Sequence, residues 1–448
     1  MMFMDVNCRA GINVIQKADT PIHGWYRFVQ GYPPHLVRQY IERFRFRGQD
    51  LLCDPFCGTG TTLVEAKKRG IRSVGCDAHP FAVLVSRVKT NWSLDVSVLS
   101  SMLRRIVAES EKQMLRHSLP PLSLFTEMVR ATEPTSKNGY SLNKDEEKLL
   151  PSGFLSQRPL QWLMILRDVI EQLTQGYPQE IREFFLLAMA HVIANGAGNF
   201  AFGPEIYRTK PKPDYDVLEH FAGHLGLMLS ELESARLAGN GRIASQVFLD
   251  DARRLDRIPS GLAGVITSPP YPNEKDYTRT TRVESLLLGL LKSREQLRSL
   301  KESLLRSNTR NVFVADTDGD EIAEVKSIQA VVQKIERRRV ELGKTSGFEK
   351  LYHKVVAHYF GGMRRHFRAL RPKLKSKAFL AYVLGDQMSF LMVPIATAEL
   401  LGQVAEMEGF KVLGRDLWRE RVGTKVRNSE TNQRTVRSRE EILTLQKA

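Results

Sequence analysis

The stretch QDLLCDPFCGTGTTLVEAKKRGIRSVGCD, residues 49–77, decides the fold. It opens on an apolar run, QDLLCDPF (49–56), that reads as a buried strand. The glycine turn CGTG follows, then the helix-forming TTLVEAKKRG, then a second strand-like run, IRSVGCD (71–77). Strand, glycine turn, helix and strand within about 30 residues form a βαβ unit, hence a parallel sheet. Gly58 and Gly60 let backbone approach a ligand closely, and the next helix points its amide donors at the same place. A dinucleotide fingerprint would carry a further glycine; here Gly60 is followed by Thr61, Thr62 and Leu63. Asp77 ends the second strand, where a carboxylate can accept from both hydroxyls of a ribose.

On either side of this unit, strands and helices alternate, with two interruptions. From about Asn91 to Gly241 the apolar period is helical, as in RPLQWLMILRDVIEQL and QEIREFFLLAMAHVIANG. The strand pattern resumes at SQVFLDD (245–251) and GVITSPP, and a charged, mostly helical excursion covers about Leu291 to Ser346. A helix, YHKVVAHYFGGMRRHFRALRP, then precedes the strand AFLAYVLGD. A further helix, VPIATAELLGQVAEMEGF, and two closing strands around KVLGRDLWRER and EEILTLQK complete the chain. The expected organisation is one α/β, Rossmann-like core of seven strands with two mainly helical insertions. Its parts are residues 1–90, the insertion 91–244, strands 245–290, the insertion 291–346 and the C-terminal part 347–448.

The net charge is +16 over 448 residues, and Lys350–Ala448 alone holds 19 Lys and Arg against 9 Asp and Glu. That bias favours a polyanionic partner, because each neutralised phosphate releases counterions. No apolar run approaches a membrane span, and MMFMDVNCRAGINV lacks the features of a signal peptide. A cytoplasmic location without a membrane partner is expected. Cys8, Cys53, Cys57 and Cys76 form no CxxC pair and meet no histidine cluster, so free thiols and no metal site are expected.

TSPPYPNEKDY (267–277) follows the apolar run GLAGVI. A Pro-Pro pair ends the sheet ladder and fixes its neighbours at the carboxyl end of a strand, where open α/β sheets keep their ligands. The Ser268 hydroxyl beside the Pro269 carbonyl gives two acceptors converging on one point, which suits an exocyclic NH2 group. Accepting from both N–H groups favours pyramidalisation and restores nucleophilicity to an amine whose lone pair is delocalised. Tyr271 offers a face on which a base turned out of a duplex can stack. Asp250-Asp251, ending SQVFL, can accept from an adenine amine, although Asp251 would also cap a helix.

DPFCGTG followed by TSPPY resembles the S-adenosylmethionine-dependent, amino-methylating DNA methyltransferases. The resemblance implies that Asp54, Phe56, Gly58 and Gly60 belong to the cofactor turn, that Asp77 takes the ribose and that Asp251 takes the adenine. It makes Ser268, Pro269, Pro270 and Tyr271 the catalytic tetrad. Upstream, HGWYRFVQGYPPHLVRQYI (23–41) resembles the family's N-terminal cofactor motif, adding His23, Tyr26 and Pro34. Serine at the head of the tetrad favours cytosine N4 over adenine N6. The implied partner is double-stranded DNA; a cognate restriction enzyme is a further partner of such systems.

Either insertion is a candidate for reading DNA, 91–244 being otherwise a helical cover. In 291–346, Arg306, Arg310 and Arg337–Arg339 are candidate phosphate contacts or solvated helix faces. An RNA base-amine methylase, a binding module with a relic pocket and, remotely, a nicotinamide dehydrogenase are the competing readings.

Overall fold

The computed structural model describes residues 15–28, 31–117, 119, 140–203, 205–426 and 434–448, with backbone alone over 421–426 and 434–438. Cys8 lies outside the described residues. Helix α1 (Pro34–Arg43) leads into β1 (Leu51–Asp54), α2 (Thr61–Lys68), β2 (Arg72–Asp77) and α3 (Pro80–Thr90). Next come α4 (Val96–Arg116), α5 (Lys144–Glu147), α6 (Gln157–Thr174), α7 (Gln179–Val192), a small hairpin of β3 (Phe200–Phe202) and β4 (Ile206–Arg208), and α8 (Val217–Leu237). Strands β5 (Ser245–Leu249) and β6 (Leu262–Thr267) precede α9 (Tyr277–Thr280), α10 (Arg282–Leu287), α11 (Arg294–Ser303), α12 (Lys326–Glu341) and α13 (Tyr352–Leu370). The chain closes with β7 (Leu374–Gly385), α14 (Thr397–Met407), β8 (Phe410–Val426) and β9 (Arg434–Lys447).

Seven strands form one sheet in the order β5-β2-β1-β6-β7-β9-β8. The first five run parallel, and β9 is antiparallel to both β7 and β8. This is the seven-stranded α/β, Rossmann-like sheet expected from the alternation of strands and helices. The chain leaves β1 toward β2 and β5 on one side and returns at β6 toward β7 on the other. The order therefore reverses between β1 and β6, and a crevice opens above their carboxyl ends.

Alternation along the strands builds a layer on each face. Leu52, Ile266, Ala381 and Val383 pack with Leu36, Val37 and Tyr40 of α1. Cys53, Val265, Leu380 and Tyr382 pack with Val356, Phe360 and Phe367 of α13. A third apolar cluster joins α4, α6, α7 and α8 to Phe81 and Val85 of α3 and to Leu286 of α10, so these four helices share a core with the sheet's own helices. Capping fixes several starts: Asp95 accepts from the Ser97 and Val98 amides, Asp216 from Leu218 and Glu219, and Asn143 forms a capping box with Glu146.

Among the described residues, no helix is long and apolar enough to cross a membrane, and no group of three or more His, Cys, Asp or Glu is placed to hold a metal. Cys53, Cys57 and Cys76 are buried free thiols.

Candidate active site

β1 delivers Asp54, fully buried, to the crevice. One carboxylate oxygen accepts from the Thr267 hydroxyl at 2.6 Å and the Phe56 amide at 3.2 Å; the other accepts from the Tyr32 hydroxyl at 2.7 Å. Burial pushes its pKa up to about 6 against the pull of these bonds. The chain then turns through Gly58 and Gly60, whose φ of +49° and +80° are left-handed. The turn is pinned from α3, because the Ser86 hydroxyl donates to the Gly58 carbonyl at 2.7 Å. A Cβ on Gly60 would stand 3.1 Å from that hydroxyl oxygen, so the close approach also requires glycine.

Asp77 at the end of β2 faces this turn. Its carboxylate accepts from the Gly58 amide at 3.0 Å and the His79 amide at 2.9 Å, and burial pushes its pKa up to about 6. His79 caps α3 by accepting from the Phe81 amide, which leaves its Nε2 proton for the Thr281 hydroxyl oxygen 3.1 Å away. The region before α10 is thereby tied to the second strand.

β6 ends on Thr267, and Ser268 to Tyr271 follow directly. The Ser268 hydroxyl oxygen lies 3.4 Å from the Val383 carbonyl and 3.3 Å from the Tyr271 hydroxyl. The loop beyond is clamped by residues 307–309. The Asn273 and Glu274 amides both donate to the Ser307 carbonyl at 3.1 Å. The Glu274 carboxylate accepts from the Thr309 amide and hydroxyl, each at 2.9 Å, and the Asn308 side chain donates to the Lys275 carbonyl at 3.0 Å. These bonds hold Glu274 at a φ of +66°, a conformation uncommon for a residue with a side chain. Arg306 is buried in a two-point ion pair with Asp316, at 2.9 and 2.5 Å, so it serves this clamp and not a phosphate.

One cleft of about 420 Å³ runs along these strand ends. Phe56, Gly58, Asp77 and Asp251 line it together with Ser268, Pro269, Pro270 and Tyr271. Asp54 and Gly60 are not in its lining but support the turn that is. Asp251 brings a carboxylate held by Arg253 at 2.7 to 3.1 Å, while Asp250 accepts from the Arg257 amide at 2.7 Å. His23 and Tyr26 lie in the core, outside the lining. His23 Nε2 is 2.9 Å from Glu65, and the Tyr26 hydroxyl donates to Glu284 at 2.7 Å. Pro34 starts α1 and is likewise outside the lining. In that N-terminal motif it is Phe28, Gly31, Tyr32 and Leu36 that reach the cleft.

Trp418, Arg419 and Glu440 also line it, and sequence reasoning passed over all three. The β8–β9 register shifts between Leu417 and Arg419, so Trp418 is an extra residue in a bulge, a device that re-aims a side chain. Glu440 is buried beside Arg419 in an ion pair.

Residues 17–87 match a family model described as DNA methylase, of the N6/N4 methyltransferase type. The type II methyltransferase M.BsoBI of Geobacillus stearothermophilus is 26% identical over 300 residues, 65% of this chain and 57% of that protein. M.MjaII of Methanocaldococcus jannaschii is 30% identical over 121 residues, 27% of this chain and 22% of its own. M.AvaI of Nostoc sp. is 22% identical over 409 residues, 88% of this chain and 80% of its own. The chain thus spans about half the length of the first of these relatives and less of the second. With the seven-stranded sheet, these relations make the chain similar to amino-methylating DNA methyltransferases.

Proposed function

We propose that the chain transfers a methyl group from S-adenosylmethionine to an exocyclic base amine of duplex DNA, with cytosine N4 favoured over adenine N6. The observation that carries this reading is the single cleft lined at once by Gly58, Asp77 and Ser268 to Tyr271. The cofactor fits the residues present. Asp77 offers a carboxylate for two ribose hydroxyls, Asp251 an acceptor for an adenine amine, and Phe56 and Leu305 apolar surface for the ring. When bound, the cofactor supplies an electrophilic methyl group.

The chain's own residues then act on the target amine. The Ser268 proton can be given to the Val383 carbonyl, which leaves the serine oxygen as an acceptor. That oxygen and the Pro269 carbonyl accept the two N–H bonds of the amine and draw its nitrogen toward a tetrahedral shape. Tyr271, whose hydroxyl is in contact with Ser268, supplies a stacking face for the turned-out base. The relatives that align with 65% and 88% of this chain are type II methyltransferases, whereas a tRNA (guanine(10)-N2)-dimethyltransferase of Methanocaldococcus jannaschii aligns with 10% of it, which supports DNA over RNA as the polymer and a restriction system as the setting. Incubating the protein with duplex DNA and methyl-labelled cofactor tests the reading; label in the DNA supports it, and none from a folded, cofactor-binding protein contradicts it.

A further inference from the structure

Two arginines from separate parts of the chain converge on one carboxylate beside the cleft. Arg279 on α9 is paired with one oxygen of Glu205, and Arg310 Nη1 lies 3.7 Å from the other. Glu205 stands between β3 and β4, so the cluster joins three segments. Arg279 follows closely on Lys275 and Tyr277, which line the cleft, and Arg310 adjoins Thr309 of the clamp on the tetrad loop. Arg282 on α10 adds a third cation: burial lowers its pKa first, Asp276 opposes this, and the like charges of Arg279 and Arg310 lower it further.

The other nearby carboxylates are engaged, Asp276 by Lys301 at 3.1 Å and Glu274 by Thr309. Glu205 is 52% exposed, Arg279 40% and Arg310 45%. Ion pairs this exposed contribute little to folding. Two guanidiniums on one solvated carboxylate, with the charge of Arg282 acting on both, are instead arranged as an anion site, and the planar forks of arginine suit a phosphate.

We propose that Arg279 and Arg310 bind a backbone phosphate of the DNA strand whose base enters the cleft, and that Glu205 occupies this site until the phosphate displaces it. The proposal rests on the reading of the chain as a DNA methyltransferase. It makes a prediction of unusual sign: removing the negative charge of Glu205 strengthens DNA binding, whereas a structural ion pair would be weakened by the same change.

The test uses the full chain, a mixed-sequence DNA duplex of about 30 base pairs, and fluorescence anisotropy across a salt series, with cofactor affinity measured alongside. Glu205→Gln is expected to tighten duplex binding about three- to tenfold at about 0.1 M salt. Arg279→Ala with Arg310→Ala is expected to weaken it more than tenfold. Loss of one shared phosphate contact lowers the slope of log affinity against log salt by about 0.9. Should the double variant fail to fold, Glu205→Gln alone decides. Unchanged or weaker binding by Glu205→Gln, in a protein whose parent binds and methylates DNA, overturns the phosphate site alone. A parent that binds cofactor but neither binds nor methylates duplex DNA overturns the functional reading and this site with it.

Discussion

The Thr267 hydroxyl donates a 2.6 Å hydrogen bond to the fully buried carboxylate of Asp54. This bond joins the end of β6 to the end of β1, so the residue before Ser268 is fixed to the strand that leads into Gly58 and Gly60. The two halves of the proposed chemistry share one rigid seam across the point where the sheet order reverses.

Thr267→Val keeps the shape and removes the donor. Leaving a buried carboxylate short of one bond costs about 1–3 kcal/mol. Urea unfolding is expected to show a loss in that range, with methyl transfer falling further because the Ser268 corner is no longer tied to the turn. An unchanged midpoint would mean that the seam is not stabilising.

Ser268→Ala removes one of the two acceptors for the amine. By analogy with the loss of one donor that stabilises a transition state, methyl transfer is expected to drop about 10²-fold. Cofactor affinity is expected to stay within about twofold, since the Ser268 hydroxyl is in contact with Tyr271 and Val383 and not with the residues proposed to hold the cofactor. Equal loss of cofactor binding and rate would show that the residue acts only on structure.

The pH dependence of cofactor binding follows from Asp77. Its pKa lies near 6 because burial disfavours the charge, and the ionised form is the better acceptor for two hydroxyls. Affinity is therefore expected to be level above about pH 7 and to fall as the pH drops through 6, approaching tenfold per unit. This fall is not unfolding. A carboxyl whose pKa is raised from 3.8 to about 6 by folding contributes stability that is fully present below 3.8 and is lost as the pH rises through 6. Asp54 has the same sign. Calorimetric titration between pH 5 and 8 checks the profile, and a flat one would remove Asp77 from the ribose.

Arg306→Leu separates clamp from phosphate contact. Breaking a buried pair by removing one partner costs about 3–5 kcal/mol. Thermal unfolding is expected to register that loss. A variant that keeps full stability and loses only DNA affinity would return Arg306 to the surface role first considered for it.

How far the sequence was legible depended on whether a feature was local. The βαβ unit around 49–77 was readable because strands covered on both faces are near-continuous apolar runs, and the crevice follows from the sheet order. The Ser268 corner was readable because Pro269 and Pro270 mark a strand end on their own. Within the stretch of helical period, Ile206–Arg208 pairs with Phe200–Phe202, a hairpin the sequence does not announce because three-residue strands carry no period of their own. The helix read from Val393 starts at Thr397, because Ile395 bridges back to Gln387. Trp418 and Glu440 were illegible for a different reason. Their place in the cleft depends on a bulge and on β9 lying between β7 and β8, relations between residues far apart in the chain.

The central claim is that Ser268 holds an exocyclic amine of a DNA base for methylation, and nucleoside mass spectrometry tests it most directly. DNA from cells expressing the parent chain and Ser268→Ala would be digested and its modified nucleosides measured. The account predicts N4-methylcytosine with the parent and near-background levels with the variant; N6-methyladenine alone would correct the base and keep the corner. Neither product from a folded, cofactor-binding parent, or equal amounts from parent and variant, would contradict it.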